Sequence, residues 1–411
     1  CSATIDRMIR RHGGRSSTRK TWRLALWLII VAALMAWLYM AASATHRLSA
    51  TATTLDQPAV SAMKFTQPSR GAAAIGSLDD GMIAQYGARD PLPTASMAKT
   101  ITVLVVLGKY PLAADEDGPT LTMNSADVER YNKTVAVGGS NLPVYAGQQL
   151  TLRSVLNAIM LESANNLADS LAIWAFGSMV NYHTAATTWL ASHNLTETTI
   201  GPDASGLDPA TTSSTGDLIK IAQLVLKNAA LSQIVAQAKA TFAGSRTMTN
   251  TNALLSDGFK GIKTGHTSEA GYCLMFAFDY TKGSQTKTII GVVLGQTSSA
   301  ARFAAAKALA ESATSNLDYT KVVAKGDAVA YYNVPWVGKV EVETANDINA
   351  LRWKDESIAP NLHLDQITAP KQAGDKVGTL TIDDQSVDLV LASDITEPHF
   401  IWRLGHPFAT K

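Results

Sequence analysis

The residues best equipped for chemistry sit in "PTASMAKTITVLVVL", residues 93–107, where Ser96 and Lys99 stand three apart at the head of a long apolar run. On a helix the two side chains share one face, a turn apart. An alcohol is a weak nucleophile at neutral pH and needs a base to take its proton. A lysine can be that base once its amine is neutral, and burial and the positive end of a helix both push its pKa down. The same helix end favours the alkoxide that develops on Ser96. A surface Ser–Lys pair at a helix start gives the same pattern, so this stretch does not decide alone.

Two further stretches offer partners. "ESANNLADS", residues 162–170, supplies Ser163 and Asn165. Residues two apart do not share a helix face, but in an extended turn between helices they point the same way. Ser163 could then relay a proton while Asn165 donates to a substrate carbonyl. Helix capping is the alternative role for both types. "GFKGIKTGHTSEAGYC", residues 258–273, supplies Lys263, Thr264, Gly265 and His266 on an expected strand. Lys263 offers fixed positive charge, and the Thr264 hydroxyl can bind a carboxylate. Gly265 lets another backbone approach closely, as a strand-like substrate requires. Strict alternation puts Lys263 and Thr264 on opposite faces, so both serve only if the strand lies twisted at a cleft edge. A sheet edge decorated with lysine is the alternative.

The elements that must position these residues are legible as periodic runs. The apolar spacing predicts helices over residues 95–107, 151–163, 166–176, 215–238 and 301–313. Residues 72–87 form two short apolar stretches around Asp79-Asp80-Gly81, a hairpin signal. "FKGIKTG", "GYCLMFAFDY" and "KTIIGVVLG" read as three successive strands. Strands, a helical middle, strands and a last helix predict an α+β fold: a mainly antiparallel sheet with helices packed on it. From about residue 318 to 397, short alternating runs between turn residues predict a small all-β module, followed by an aromatic, lightly basic tail over 398–411. That tail is expected to pack on the β module.

The chain has 411 residues, 46% of them hydrophobic, enough for two or more folded units. A net charge of +1 gives no pointer to nucleic acid. Charge is uneven, however: residues 1–23 carry seven Arg and Lys against Asp6 alone, and residues 24–44 carry none. A stretch of roughly 20 apolar residues spans the ~30 Å hydrocarbon core of a bilayer. The basic tail places the N-terminus in the cytoplasm and residues 45–411 outside. "ASA" at 42–44 also resembles a signal-peptidase site, but the apolar run exceeds the usual ~7–15 residues of a signal core. An uncleaved anchor is the preferred reading, with residues 45–62, rich in Ala, Thr and Ser, as the linker off the membrane. Cys1 stands where an initiator Met is expected, which suggests a fragment. Cys273, the only other cysteine, is expected to pack rather than react.

S-x-x-K, a Ser-x-Asn element and K-T-G in this order are far more specific together than apart; with S-D-N in the middle they mark class A β-lactamases and penicillin-binding proteins. Here the middle element is S-A-N. With "PTASMAKTIT", "LESANNLADSLA", "GPDASGLDP", "SSTGDLIKIA" and "GIKTGHTSEAGY", the sequence resembles the D-alanyl-D-alanine carboxypeptidases, the low-molecular-mass penicillin-binding proteins, from about residue 62 to 316. The resemblance implies a penicillin-recognising catalytic domain over residues 63–316, with an antiparallel sheet beside a helical lobe and the cleft between them. It implies Ser96 as the acylated nucleophile, Lys99 as its base and Ser163 as a catalytic partner. Asn165, Lys263, Thr264, Gly265 and His266 would bind substrate. The backbone N–H groups of Ser96 and His266 would form the oxyanion hole, with the His266 side chain structural. Arg302, near the start of the last helix, would hold the terminal carboxylate with Thr264; a plain surface residue is the alternative.

The implied substrate is a peptidoglycan stem peptide ending in D-Ala-D-Ala, β-lactams would acylate the same serine, and no metal or cofactor is called for. The deacylating glutamate of class A β-lactamases has only Glu197 as a candidate, without the Leu and Asn that should follow it, which disfavours β-lactam hydrolysis. A DD-endopeptidase or transpeptidase on the same fold, and a non-catalytic, membrane-tethered cell-wall binding protein, are the competing readings.

Overall fold

A computed structural model describes residues 17–43, 45–55 and 59–406 of the chain. Cys1, the basic tail up to residue 16, Ala44 of the cleavage motif and residues 407–411 lie outside the described residues. The first helix, α1 (Ser17–Ser43), contains an 18-residue stretch of mean hydropathy 2.3, almost all exposed. It is long and apolar enough to cross a bilayer.

The chain divides into two compact units, one formed by residues 61–319 and 351–355. Its centre is a five-stranded antiparallel sheet of β1 (Ala72–Ser77), β2 (Gly81–Gly87), β3 (Phe259–Thr267), β4 (Gly271–Lys282) and β5 (Gln285–Gln296), in the order β3-β4-β5-β1-β2. The expected hairpin turns at Gly81, whose φ of +76° favours glycine. Alternation divides the sheet between two cores. Ala73, Ile75, Leu274, Phe276, Ile289 and Val293 face the last helix of this unit, α9 (Ser299–Ser315), with its Ala306, Leu309 and Ala313. Ala72, Ala74, Cys273, Met275, Ile290 and Val292 face a second, mostly helical core. Both faces are covered, so β1 is buried along its whole length, and its alanines leave room for that.

The helical core comprises α2 (Ala98–Lys109), α3 (Ser125–Ala136), α4 (Leu152–Leu161), α5 (Asn165–Phe176), α6 (Met179–Ser192), α7 (Thr215–Lys227) and α8 (Ala229–Ala236). Helix α2 runs through its middle, buried from Ala98 to Leu107. Side-chain oxygens of Thr151, Ser178 and Ser214 cap α4, α6 and α7, each worth about 1 kcal/mol. The single helix expected over 215–238 is instead two, bent by 100°. Asn228 is the cause: its backbone is extended, and its side chain accepts the Leu231 N–H to start α8. Apolar periodicity continues through the break and so conceals it.

The second unit comprises, among the described residues, those up to 60 and residues 320–350 and 356–406. Its six-stranded antiparallel sheet runs Asn361–Leu364, Lys376–Ile382, Gln385–Leu391, Gly338–Thr344, Ala328–Val334 and Ala50–Ala52 around Val329, Tyr332, Val342, Leu380 and Leu389. Two boundaries differ from expectation. The segment read as a linker over 45–62 supplies two strands: Ala50–Ala52 pairs with Ala330–Tyr332, and Arg47–Leu48 with Ile367–Thr368. Runs of two and three residues are too short to show alternation, so composition alone misled. The β module over 318–397 is also interrupted, because Leu351 and Trp353 belong to the core around α9. The Trp353 indole N–H donates to Asp80 at 2.7 Å, beside the hairpin turn. In the tail, α10 (Phe400–Gly405) packs on α1, and the Trp402 ring meets His46 edge-on and lies tilted against Trp336.

Candidate active site

Ser96 lies on a 3₁₀ turn, Ala95–Met97, directly before α2. Ala95 holds φ +47°, a left-handed conformation rare for alanine, so the turn that presents the serine is strained. Lys99, in the first turn of α2, places its Nζ 2.8 Å from Ser96 Oγ. The amine also donates to Asn165 Oδ1 at 2.6 Å and to the Ser205 carbonyl at 2.8 Å. Lys99 is fully buried. Burial lowers its pKa to about 7, against the charges of Asp203 and Asp169, which hold it up. An amine poised near neutrality beside a serine hydroxyl can take that proton.

Ser163 and Asn165 do not lie in one extended turn. Ser163 sits in the short break between α4 and α5 with φ +63°, and Asn165 is the first residue of α5. The left-handed residue turns Ser163 towards the cleft by another route. Its Oγ is buried and has no hydrogen-bond partner among the described residues. A hydroxyl held so is available to a bound group.

Strand β3 is an edge strand, as the cleft reading requires. Thr264 lines the cleft, its Oγ1 2.6 Å from Thr251 Oγ1. Lys263 is also buried, its Nζ bonded to the Thr264 carbonyl at 3.1 Å. Burial first, then the charges of Lys99 and Arg302, push its pKa well below the usual lysine value. An anion entering the cleft would raise it again.

Gly265 lines the cleft. A Cβ there would lie 2.9 Å from the Thr94 carbonyl and 3.3 Å from Ser96 N, so its bareness admits the nucleophile's own turn. His266 stacks on Tyr272 at 3.9 Å between ring centroids. Arg302 is not a surface residue. It is buried, donates to the Gly265 carbonyl at 3.2 Å, and leaves Nε without a partner among the described residues.

These segments enclose one cleft of about 430 Å³, lined among others by Ser96, Ser163, Asn165, Thr264, His266 and Arg302. Glu197 is not in its lining. Cys273 is buried, and burial raises its pKa to about 11, so it packs rather than reacts.

Sequence reasoning cites the loop "GPDASGLDP" only for the resemblance and gives it no part in the lysine's surroundings. Asp203 Oδ1 accepts the backbone N–H groups of Ser205 and Gly206 at 2.6 Å each, and Oδ2 accepts that of Asp208 at 2.7 Å. Gly206, at φ +71°, passes so near Ala95 that a Cβ would fall 2.1 Å from the Ala95 carbonyl. The signal was "GPDASG", an acid just before a small-residue turn. Thr251 carried no signal.

Fold and cleft together define a serine enzyme of the penicillin-recognising class. Residues 71–298 match the D-alanyl-D-alanine carboxypeptidase family, and the chain belongs to it. It is a serine-type carboxypeptidase, a hydrolase. The D-alanyl-D-alanine carboxypeptidase of Streptomyces sp. strain K15 is 32% identical over 228 residues, covering 51% of this chain and 74% of that protein. The D-alanyl-D-alanine carboxypeptidase DacF of Bacillus subtilis strain 168 is 25% identical over 304 residues, 71% of this chain and 75% of that one. The fold is similar to that of a peptidoglycan synthesis regulatory factor, PBP3, from Streptococcus pneumoniae, with TM-score 0.60 and 23% identity over 81% of this chain and all of that one.

Proposed function

We propose that Ser96 is the nucleophile and Lys99 its base in removing the terminal D-alanine from a peptidoglycan stem peptide. The carrying observation is a fully buried amine 2.8 Å from Ser96 Oγ. Neutral Lys99 takes the Ser96 proton as Oγ bonds to the carbonyl carbon between the last two D-alanines. The backbone N–H groups of Ser96 and His266 receive the developing oxyanion. Ser163 takes that proton from Lys99 as it gives its own to the leaving amine, the C–N bond breaks, D-alanine departs, and Lys99 is neutral again. Water, deprotonated by Lys99, then frees the acyl group and returns Ser96. Arg302 and Thr264 hold the substrate's terminal carboxylate; a guanidinium suits it because its donors form a planar fork. Asn165 donates from its amide nitrogen to the substrate backbone, and Lys263 adds positive charge once an anion is bound. A penicillin acylates the same serine.

The purified protein is expected to release one D-alanine per synthetic stem pentapeptide, and benzylpenicillin is expected to stop the release. A protein that labels with penicillin yet frees no D-alanine would count against this reading.

Helix α1 is the membrane anchor, with the basic tail in the cytoplasm and residues 45–411 outside. Protease added to intact spheroplasts should digest the catalytic unit; full protection would contradict the topology.

A further inference from the structure

Asp169 has no part in the chemistry above, yet it lies half-buried beside it. It follows Asn165 by four residues, so the two side chains lie one turn apart on the same face of α5. Asn165 Oδ1 accepts from Lys99 Nζ at 2.6 Å. Asp169 Oδ1 accepts the Ala204 N–H at 2.9 Å. The Ala204 carbonyl accepts from Thr102 Oγ1 at 2.6 Å, one turn along α2 from Lys99. The next carbonyl, that of Ser205, accepts from Lys99 Nζ at 2.8 Å. One face of α5 thus grips the amine twice, once through Asn165 and once through the Ala204–Ser205 segment.

We propose that Asp169 is a positioning residue for the reaction: it orients the segment that holds the Lys99 amine, and its charge sets the pH at which that amine becomes free to act. The proposal rests on Lys99 being the base for Ser96. Asp203 from the loop, Lys99 from α2, Arg130 from α3 and Tyr182 from α6 are the ionisable groups whose fields or titrations meet Asp169. Arg130 is occupied elsewhere, bonded to Asp127 at 2.6 Å and Ser170 at 3.1 Å. Burial raises the Asp169 pKa to about 6; the Ala204 N–H opposes the rise, Asp203 adds to it, and Lys99 and Arg130 oppose it. Asp169 and Lys99 therefore titrate in adjoining ranges as a coupled pair. An ionised Asp169 raises the Lys99 pKa; a neutral residue in its place lowers it, so the amine is neutral at lower pH.

The test is the rate at which a fluorescent penicillin labels the full chain from about pH 5 to about pH 9, for wild type, Asp169→Asn and Asp169→Ala. Asparagine keeps an acceptor oxygen for Ala204 and drops the charge. Its acidic limb is expected to move down by about half a pH unit, so that at about pH 6 its rate, relative to its own plateau, is about 2.6-fold higher than wild type's. Alanine should show the same displacement with a plateau about tenfold lower, because the Ala204–Ser205 segment loses its acceptor. Both variants keeping the wild-type midpoint, with any loss spread evenly over pH, would overturn the proposal and leave Asp169 a structural residue. Labelling that survives Ser96→Ala would instead overturn the reading beneath it.

Discussion

Lys99→Met is expected to react with a fluorescent penicillin about a thousandfold more slowly than wild type, while keeping a cooperative thermal transition. A positioned general base contributes about 10²–10⁴-fold, and Lys99 Nζ is placed 2.8 Å from Ser96 Oγ. Methionine replaces a fully buried side chain with an apolar one of similar length, so packing is conserved. The substitution leaves Asn165 Oδ1 and the Ser205 carbonyl without the amine, at about 1–3 kcal/mol each. Removing a charge that burial already disfavours offsets part of that cost. In wild type the rate should rise as pH passes through about 7, because Lys99 must lose its proton to act. Stopped-flow labelling measures both effects. A folded Lys99→Met variant that labels within about tenfold of wild type would remove Lys99 from the base's role.

How much of this was legible in the sequence follows from what each residue's role depends on. Ser96 and Lys99 were readable because helical spacing alone brings them together. The sheet and most helices were readable because both cores impose period. Lys263 was readable as a residue type but not as a charge, since its state depends on the burial of its amine and on Lys99 and Arg302 nearby. Arg302 reads from sequence as a binding or a surface residue, because an arginine early in a helix shows nothing of the strand against which it lies. Asp169 carried a weak signal, an acid on an otherwise apolar helix face one turn beyond Asn165. The short strand Ala50–Ala52 carried none, since its pairing with Ala330–Tyr332 lies far along the chain. Asn228 shows the remaining difficulty: a good cap in the middle of an apolar period can end one helix and start the next.

The central claim is that three distant segments make Ser96 the one side chain that is acylated. Digestion and mass mapping of the full chain after exposure to benzylpenicillin tests it most directly. The account predicts one penicilloyl adduct, on the peptide carrying Ser96, and none in Ser96→Ala. The serine's removal takes away the only atom that forms the covalent bond, so the loss should be complete rather than partial. An adduct mapped to Ser163 or elsewhere, or one that persists in Ser96→Ala, would contradict it.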